Sequence, residues 1–336
     1  MGKCGKQSIA FDKDVYILSS ASIAGPKECD GPLGELFDIA VEDATVGQDS
    51  WEKGESEMVK QASELAVRKA RLSLEDIRYV FSGDLLGQLI ATTFGLKDLH
   101  VPLFGLYGAC STAGEALGLA AIMISAGYAD HTLAVASSHF GSAEKQFRFP
   151  LEYGNQRPLA ATWTVTGCGA FVVSSQESKA KITGITTGKI VDYGVSDSMN
   201  MGAVMAPAAA DLIYQHLKDF NRKPTDYDRI ITGDLGKVGQ EILLNLLKEN
   251  GYDIQKQHID CGMLIYDDVR QDTHSGGSGC GCAAVTLAAY ILPKIVSGEW
   301  KRVLFMPTGA LLSTVSFNEG ETIPGISHGV VIEHAE

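Results

Sequence analysis

The chain of 336 residues is short of positive charge: 28 Lys and Arg stand against 41 Asp and Glu, a formal net charge of −13. Such a balance repels nucleic-acid phosphates and anionic headgroups, and no Lys/Arg run offsets it, so no nucleic-acid partner is expected. Long hydrophobic runs are also missing. The longest apolar stretches, 116–129 and 282–293, fall short of the ~20 residues of a membrane span, and Pro293 and Lys294 break the second. No transmembrane segment is expected, and a partner protein would have to hold the chain at a membrane. The first residues carry no apolar signal-peptide core, and Lys6 stands where a myristoylation signal needs Ser or Thr, so neither secretion by the usual route nor lipidation is expected. The seven cysteines (4, 29, 110, 168, 261, 280 and 282) are odd in number and scattered, which suits a reducing compartment better than a disulfide framework. Cys280 and Cys282 enclose one residue, not the two of a zinc knuckle or redox pair, and no resident metal is expected. No Gly-rich turn has the Rossmann spacing or the P-loop lysine.

What the chain does have is a repeat. DIRYVFSGDLLGQ at 76–88 is answered by DRIITGDLGKVGQ at 228–240, with Ser82-Gly83-Asp84-Leu85 matched by Thr232-Gly233-Asp234-Leu235, 150 positions on. The stretch 108–135 returns in the same order at 279–306: small-residue turn, apolar helix, Gly, polar turn, strand. Strand-helix-strand order in both copies predicts two halves built on parallel sheets covered by helices, divided near residue 178 into 1–178 and 179–336. A helix is predicted over 56–71 from Met58, Ala62, Leu65 and Ala66, and its counterpart is predicted to start at Pro207. Each half closes on Gly-punctuated β sequence, 162–174 and 325–333.

Chemistry, if there is any, centres on Cys110. It follows Gly108-Ala109 and opens a helix predicted over 111–126, whose free N–H groups and dipole favour a thiolate or a bound anion. A small buried residue in a tight turn is the alternative reading. The matching position in the other half is Gly281, so one copy alone carries a thiol there. The loop Ser138-His139-Phe140-Gly141-Ser142 offers hydroxyls and an imidazole, Lys145, Arg148 and Arg157 are the next cations, and Gly276-Gly277-Ser278-Gly279 is a second anion-cradle candidate. Of His139, His274 and His328, the first and last are expected to converge on Cys110.

These features resemble the thiolase superfamily, in particular ketoacyl-carrier-protein synthase III: two similar halves, a nucleophile turn like Gly108-Ala109-Cys110, a Gly-rich hairpin like 165–170, and a Gly-rich helix start at 276–279. The resemblance implies an α/β, thiolase-like fold of two pseudo-repeated βαβαβ halves in a layered α/β/α/β/α core. It also implies a homodimer formed by sheet pairing, and acyl transfer through an acyl-cysteine. The synthases place a His after the strand equivalent to 229–232 and an Asn in the turn equivalent to 276–279; here those positions read Gly233 and Gly277. Loss of one oxyanion donor costs roughly 2.7–4 kcal/mol of barrier, so a pseudoenzyme with a vestigial Cys110 is expected.

Within that superfamily DKDVYILSSASIAGPKE, GLYGACSTAGEALGLAA and DTHSGGSGCGCAA resemble a family of spore proteins from spore-forming Bacilli. This resemblance implies binding of dipicolinic acid (pyridine-2,6-dicarboxylate), with calcium as its possible companion, and help in its uptake into the developing spore with membrane proteins of the same operon. The place implied is inside the sporulating cell or spore, peripheral at the spore inner membrane. The ligand would lie among Cys110, Ser138, His139, Arg148, Arg157, Gly277, Ser278 and His328. Two other readings stay open: an active acyltransferase in which His139 or His328 serves Cys110, and a purely structural partner of membrane proteins.

Overall fold

The computed structural model describes residues 2–147 and 156–336. Ten strands carry the fold: β1 Tyr16–Ala24, β2 Tyr79–Asp84, β3 Leu103–Gly105, β4 His131–Ser138 and β5 Gly167–Ser174, then β6 Ala180–Thr187, β7 Arg229–Thr232, β8 His258–Asp260, β9 Arg302–Met306 and β10 Gly325–His334. They pair in the order β3-β2-β4-β5-β1 and β6-β10-β9-β7-β8, which is one order written twice. The repeat seen in sequence is thus a repeat of topology. Each half differs from a purely parallel sheet in one respect, because β5 and β10 run antiparallel to both neighbours. Their runs, GCGAFVVS and GISHGVVIEH, each lie antiparallel beside the first strand of their own half.

The halves join where β1 meets β6 over two residue pairs, Ile17–Ala180 and Tyr16–Lys181. Helices α1 Trp51–Lys69 and α2 Ile90–Leu96 cover the outer face of the first half, and α5 Met201–Asp219 and α6 Gly236–Glu249 that of the second. Between the halves lie α3 Thr112–Ala126, which touches strands of both, and α7 Cys280–Thr286, which packs on β1, β4 and β5. Three separate apolar clusters, one per helical layer, express this five-layer stack. The middle layer explains the small-residue composition of α3: Ala113, Ala116, Ala120 and Ala121 are buried, and a Cβ at Gly114 would lie 2.5 Å from the His328 carbonyl oxygen. Ala109–Ala126 has the length and apolarity of a membrane span, yet 72% of it is buried in that layer.

Several local expectations need correction. Helix α1 begins earlier than predicted, where the Ser50 side chain accepts from the Lys53 N–H. Pro207 lies inside α5, not at its start, because Asn200 caps the helix and burial of Val204, Met205, Ala208 and Ala209 carries it through the proline. The helix over the second apolar stretch passes Pro293: α7 continues through a π-turn at Leu287–Ile291 into Leu292–Val296. The predicted loop after β4 is the start of α4, Phe140–Phe147.

Candidate functional site

Cys110 sits where a three-residue turn hands β3's connection to α3. Ala109 is left-handed (φ 49°), and the Gly108 and Ala109 carbonyls accept from the Ser111 and Thr112 N–H groups at 3.0 and 3.3 Å. The Thr308–Ala310 strand presses on the turn so closely that a Cβ on Gly309 would lie 2.3 Å from the Gly108 oxygen. The helix start is therefore partly closed by its own turn, unlike the open anion cradle read from sequence.

The partner of Cys110 is a carboxylate. Asp234, fully buried, lies near enough to Cys110 for its charge to act on the thiol, and it accepts from Gly279 N–H at 2.9 Å, from the Ser278 hydroxyl at 3.2 Å and, on Oδ1, from the Thr308 hydroxyl at 2.9 Å. Behind it Asp260 accepts from Thr232 Oγ1 (2.6 Å) and from the Leu235 and Gly236 N–H groups (2.9 and 3.2 Å), which fixes the turn that presents Asp234. Burial pushes Asp234 up to about 7, opposed by its hydrogen bond from Gly279 and by the neighbouring Cys110 thiol. Burial, reinforced by the Asp234 charge, pushes the Cys110 thiol well above its ordinary value. A cationic neighbour would stabilise a thiolate; a carboxylate does the reverse.

Cys110 opens onto a cleft of about 670 Å³, counting the solvent at its mouth, lined also by Tyr107, Thr164, Met199, Met205 and Ser278. Glu144 is its one charged residue among those described. Among the described residues no group of three or more His, Cys, Asp or Glu side chains is placed to hold a metal ion.

A profile of the stage V sporulation protein AD family matches residues 5–333. A Bacillus subtilis (strain 168) stage V sporulation protein AD is 45% identical over 331 residues, 98% of either chain. The chain belongs to the stage V sporulation protein AD family. Solved structures of condensing enzymes share the fold of this chain. The 3-oxoacyl-[acyl-carrier-protein] synthase III of Aquifex aeolicus superposes with a TM-score of 0.57 at 16% identity, covering 95% of this chain and all of that one (100%). An OleA variant from Xanthomonas campestris gives 0.62 at 15%, covering 96% and 100%.

In this family member the two glycines read as replacements of His and Asn turn away from the cleft. A Cβ on Gly233 would meet Pro307 and Ala283 at 3.1 and 3.3 Å, and one on Gly277 would meet Ile265 at 2.7 Å. Their successors, Asp234 and Ser278, are the residues that face Cys110. Asp234 was missed by the sequence reading, although its recurrence in both repeats was a usable signal.

The other expected residues scatter. Ser138 is fully buried and serves α7: its hydroxyl donates to Val165 O (2.7 Å) and accepts from Gly281 N–H (3.0 Å). His139 donates through Nε2 to Ala44 O (2.8 Å) while Nδ1 accepts from Gly141 N–H (3.0 Å), and burial lowers its pKa, so it is neutral and faces a different opening. His328 lines a third cavity beside Glu115 and Gly118, with its pKa pushed down to about 4 by burial. His274 bonds Pro158 O and Asp272. Lys145 pairs with Glu52 at 2.7 Å, and Arg157 belongs with His139 in the other opening. Arg148 lies outside the described residues. Of the eight expected ligand contacts, Cys110 and Ser278 meet in one cleft.

Proposed function

We propose that this chain is a non-catalytic, thiolase-like binding protein that takes dipicolinic acid into the Cys110 cleft and assists its uptake into the developing spore. The observation that carries the reading is the Cys110–Asp234 pair: the nucleophile position is kept, and its partner is an acid that disfavours the thiolate. Family membership supports the sporulation setting. The cleft suits a flat ring acid in its apolar wall, where Met199, Met201 and Met205 give polarizable, adaptable surface, and in its hydroxyls, Thr164, Ser198 and Ser278. Calcium, when it accompanies the ligand, would arrive as the dipicolinate chelate and not as a resident metal.

Uptake requires membrane partners, and the reading places this chain at the spore inner membrane through proteins of its operon. A homodimer is part of the proposal. Strand β3 is an unpaired edge, with Leu103 42% and Phe104 49% exposed, which supports pairing with a second copy.

Equilibrium binding of dipicolinate to the purified chain, with and without calcium, tests the proposal. Pyridine-2-carboxylate and a labelled acyl thioester are the controls, and sedimentation of the same sample reports the dimer. Saturable binding that discriminates against the monocarboxylate, weakened in Cys110→Ala, is the expected result. Absence of binding together with acylation of Cys110 would replace it by an acyltransferase, and absence of both would leave a structural partner.

A further inference from the structure

A second opening lies on the other side of the strand segment Trp163–Thr164 from the Cys110 cleft, sharing Glu144 with it. It measures about 1620 Å³ counting the solvent at its mouth. Its centre is Trp163, whose indole stacks on Phe140 at 4.0 Å with planes 5° apart. Two cations approach the same indole, Lys27 Nζ at 4.2 Å and Arg157 Cζ at 4.9 Å from the ring centroid.

The two cations are incompletely used. The Arg157 side chain is 9% exposed; its Nη2 donates to the Asp272 carbonyl (2.9 Å) and carboxylate (3.0 Å), and its Nη1 is buried with no protein partner among the described residues. Lys27 gives a hydrogen bond to Gln271 O at 2.7 Å, one of three that an ammonium can donate. Burial lowers the Lys27 pKa, opposed by Glu28, Asp272 and Asp30 and assisted by Arg157. Glu28 is already engaged by Thr166 N–H (3.0 Å) and the Tyr266 hydroxyl, and burial pushes it up to about 7, so it is a weak counter-ion near neutrality. A buried guanidinium N–H without an acceptor is costly, and an oxyanion is the acceptor that two neighbouring cations select.

We infer that Lys27 and Arg157, held against Trp163, form a second anion-binding site, distinct from the Cys110 cleft, that takes the carboxylate or phosphate group of a ligand. Arg157 supplies the directional donor through Nη1, Lys27 supplies charge, and Asp272 competes with the ligand for the guanidinium. The site does not depend on what the Cys110 cleft binds.

The test follows the indole N–H resonances of the full chain during titration with inorganic phosphate and, separately, with acetate. The Trp163 signal shifts saturably and that of Trp300, remote on the second half, stays put; the tighter probe names the group. Arg157→Gln and Lys27→Gln each weaken binding by about tenfold or more, as loss of a charged hydrogen bond implies, whereas Lys248→Gln, exposed on the second half and outside both openings, leaves it unchanged. Asp272→Asn, at an exposed carboxylate, tightens binding, and this variant decides the matter should Arg157→Gln fail to fold. A Trp163 signal unmoved by both anions, or affinities indifferent to Arg157→Gln and Asp272→Asn, overturns the site.

Discussion

Asp84 and Asp234 hold the same place in the two halves, each the third residue of a repeated Ser/Thr-Gly-Asp-Leu, each fully buried, and each with its pKa raised by burial. Their partners differ. Asp84 accepts from Leu86 N–H (3.1 Å) and Thr92 N–H (2.8 Å), so it is consumed in capping its own half's α2. In the second half Asp260 takes over the capping, bonding the Leu235 and Gly236 N–H groups at the start of α6. Asp234 is thereby free to bond Ser278, Gly279 and Thr308, where its charge also acts on the Cys110 thiol. The same motif serves its own half's helix in one copy and the turn behind Ser278 and Cys110 in the other, where a different residue closes the helix.

Alanine at the glycine before each aspartate sharpens the contrast most. At Gly83 a Cβ would lie 2.2 Å from the Leu106 carbonyl oxygen, whereas at Gly233 its nearest neighbour is Pro307 Cα at 3.1 Å. Gly83→Ala is expected to lose about 1–3 kcal/mol in urea unfolding, and Gly233→Ala clearly less. Equal losses would mean that the two turns are under the same constraint.

The next contrast is chemical. Asp234→Asn removes the charge that opposes the Cys110 thiolate, and each unit by which the thiol falls raises the thiolate fraction about tenfold. Peptide-mapped alkylation near pH 8 should show faster labelling of Cys110 in Asp234→Asn and an unchanged rate in Asp84→Asn. Acceleration by both would make the two aspartates equivalent.

The smallest effect is on pH dependence. Glu55, bonded to the Ser137 and Ser142 hydroxyls at 2.9 and 3.0 Å, is raised by burial and by the Asp84 charge, from an ordinary 4.5 to about 8. A carboxyl held protonated in the fold binds protons that the unfolded chain has released. Its contribution is therefore favourable at low pH and is lost as pH rises from about 4.5 through about 8. Glu55→Gln should flatten the fall in Tm across that window, and an identical Tm profile would assign the slope to other groups.

Much of the architecture was legible in the chain. The repeat predicted two like halves, and the small-residue run after Cys110 predicted a helix at a tight turn, because periodicity and glycine placement are local properties. The antiparallel return of β5 and β10 was not legible, since a buried strand reads as the same apolar run in either direction. Cys110 and Ser278, each singled out by its turn, line one cleft. His139 and His328 were misjudged because sequence brings a loop near a site without stating which way its side chain points. A Cβ on Gly233 or Gly277 would point into packed neighbours, while Asp234 and Ser278 lie on the Cys110 side, since one residue reverses the face in extended chain.

By itself the sequence determined the duplication, the acidic balance that disfavours nucleic acid, and the turn that carries the thiol. Only the tertiary structure decided that this thiol meets a carboxylate, and that the expected cation Arg157 stands beside Trp163 in a separate opening. The physical reason is that composition and periodicity act along the chain, whereas a site is made where residues about a hundred positions apart or more, such as Cys110 and Asp234, share one desolvated space.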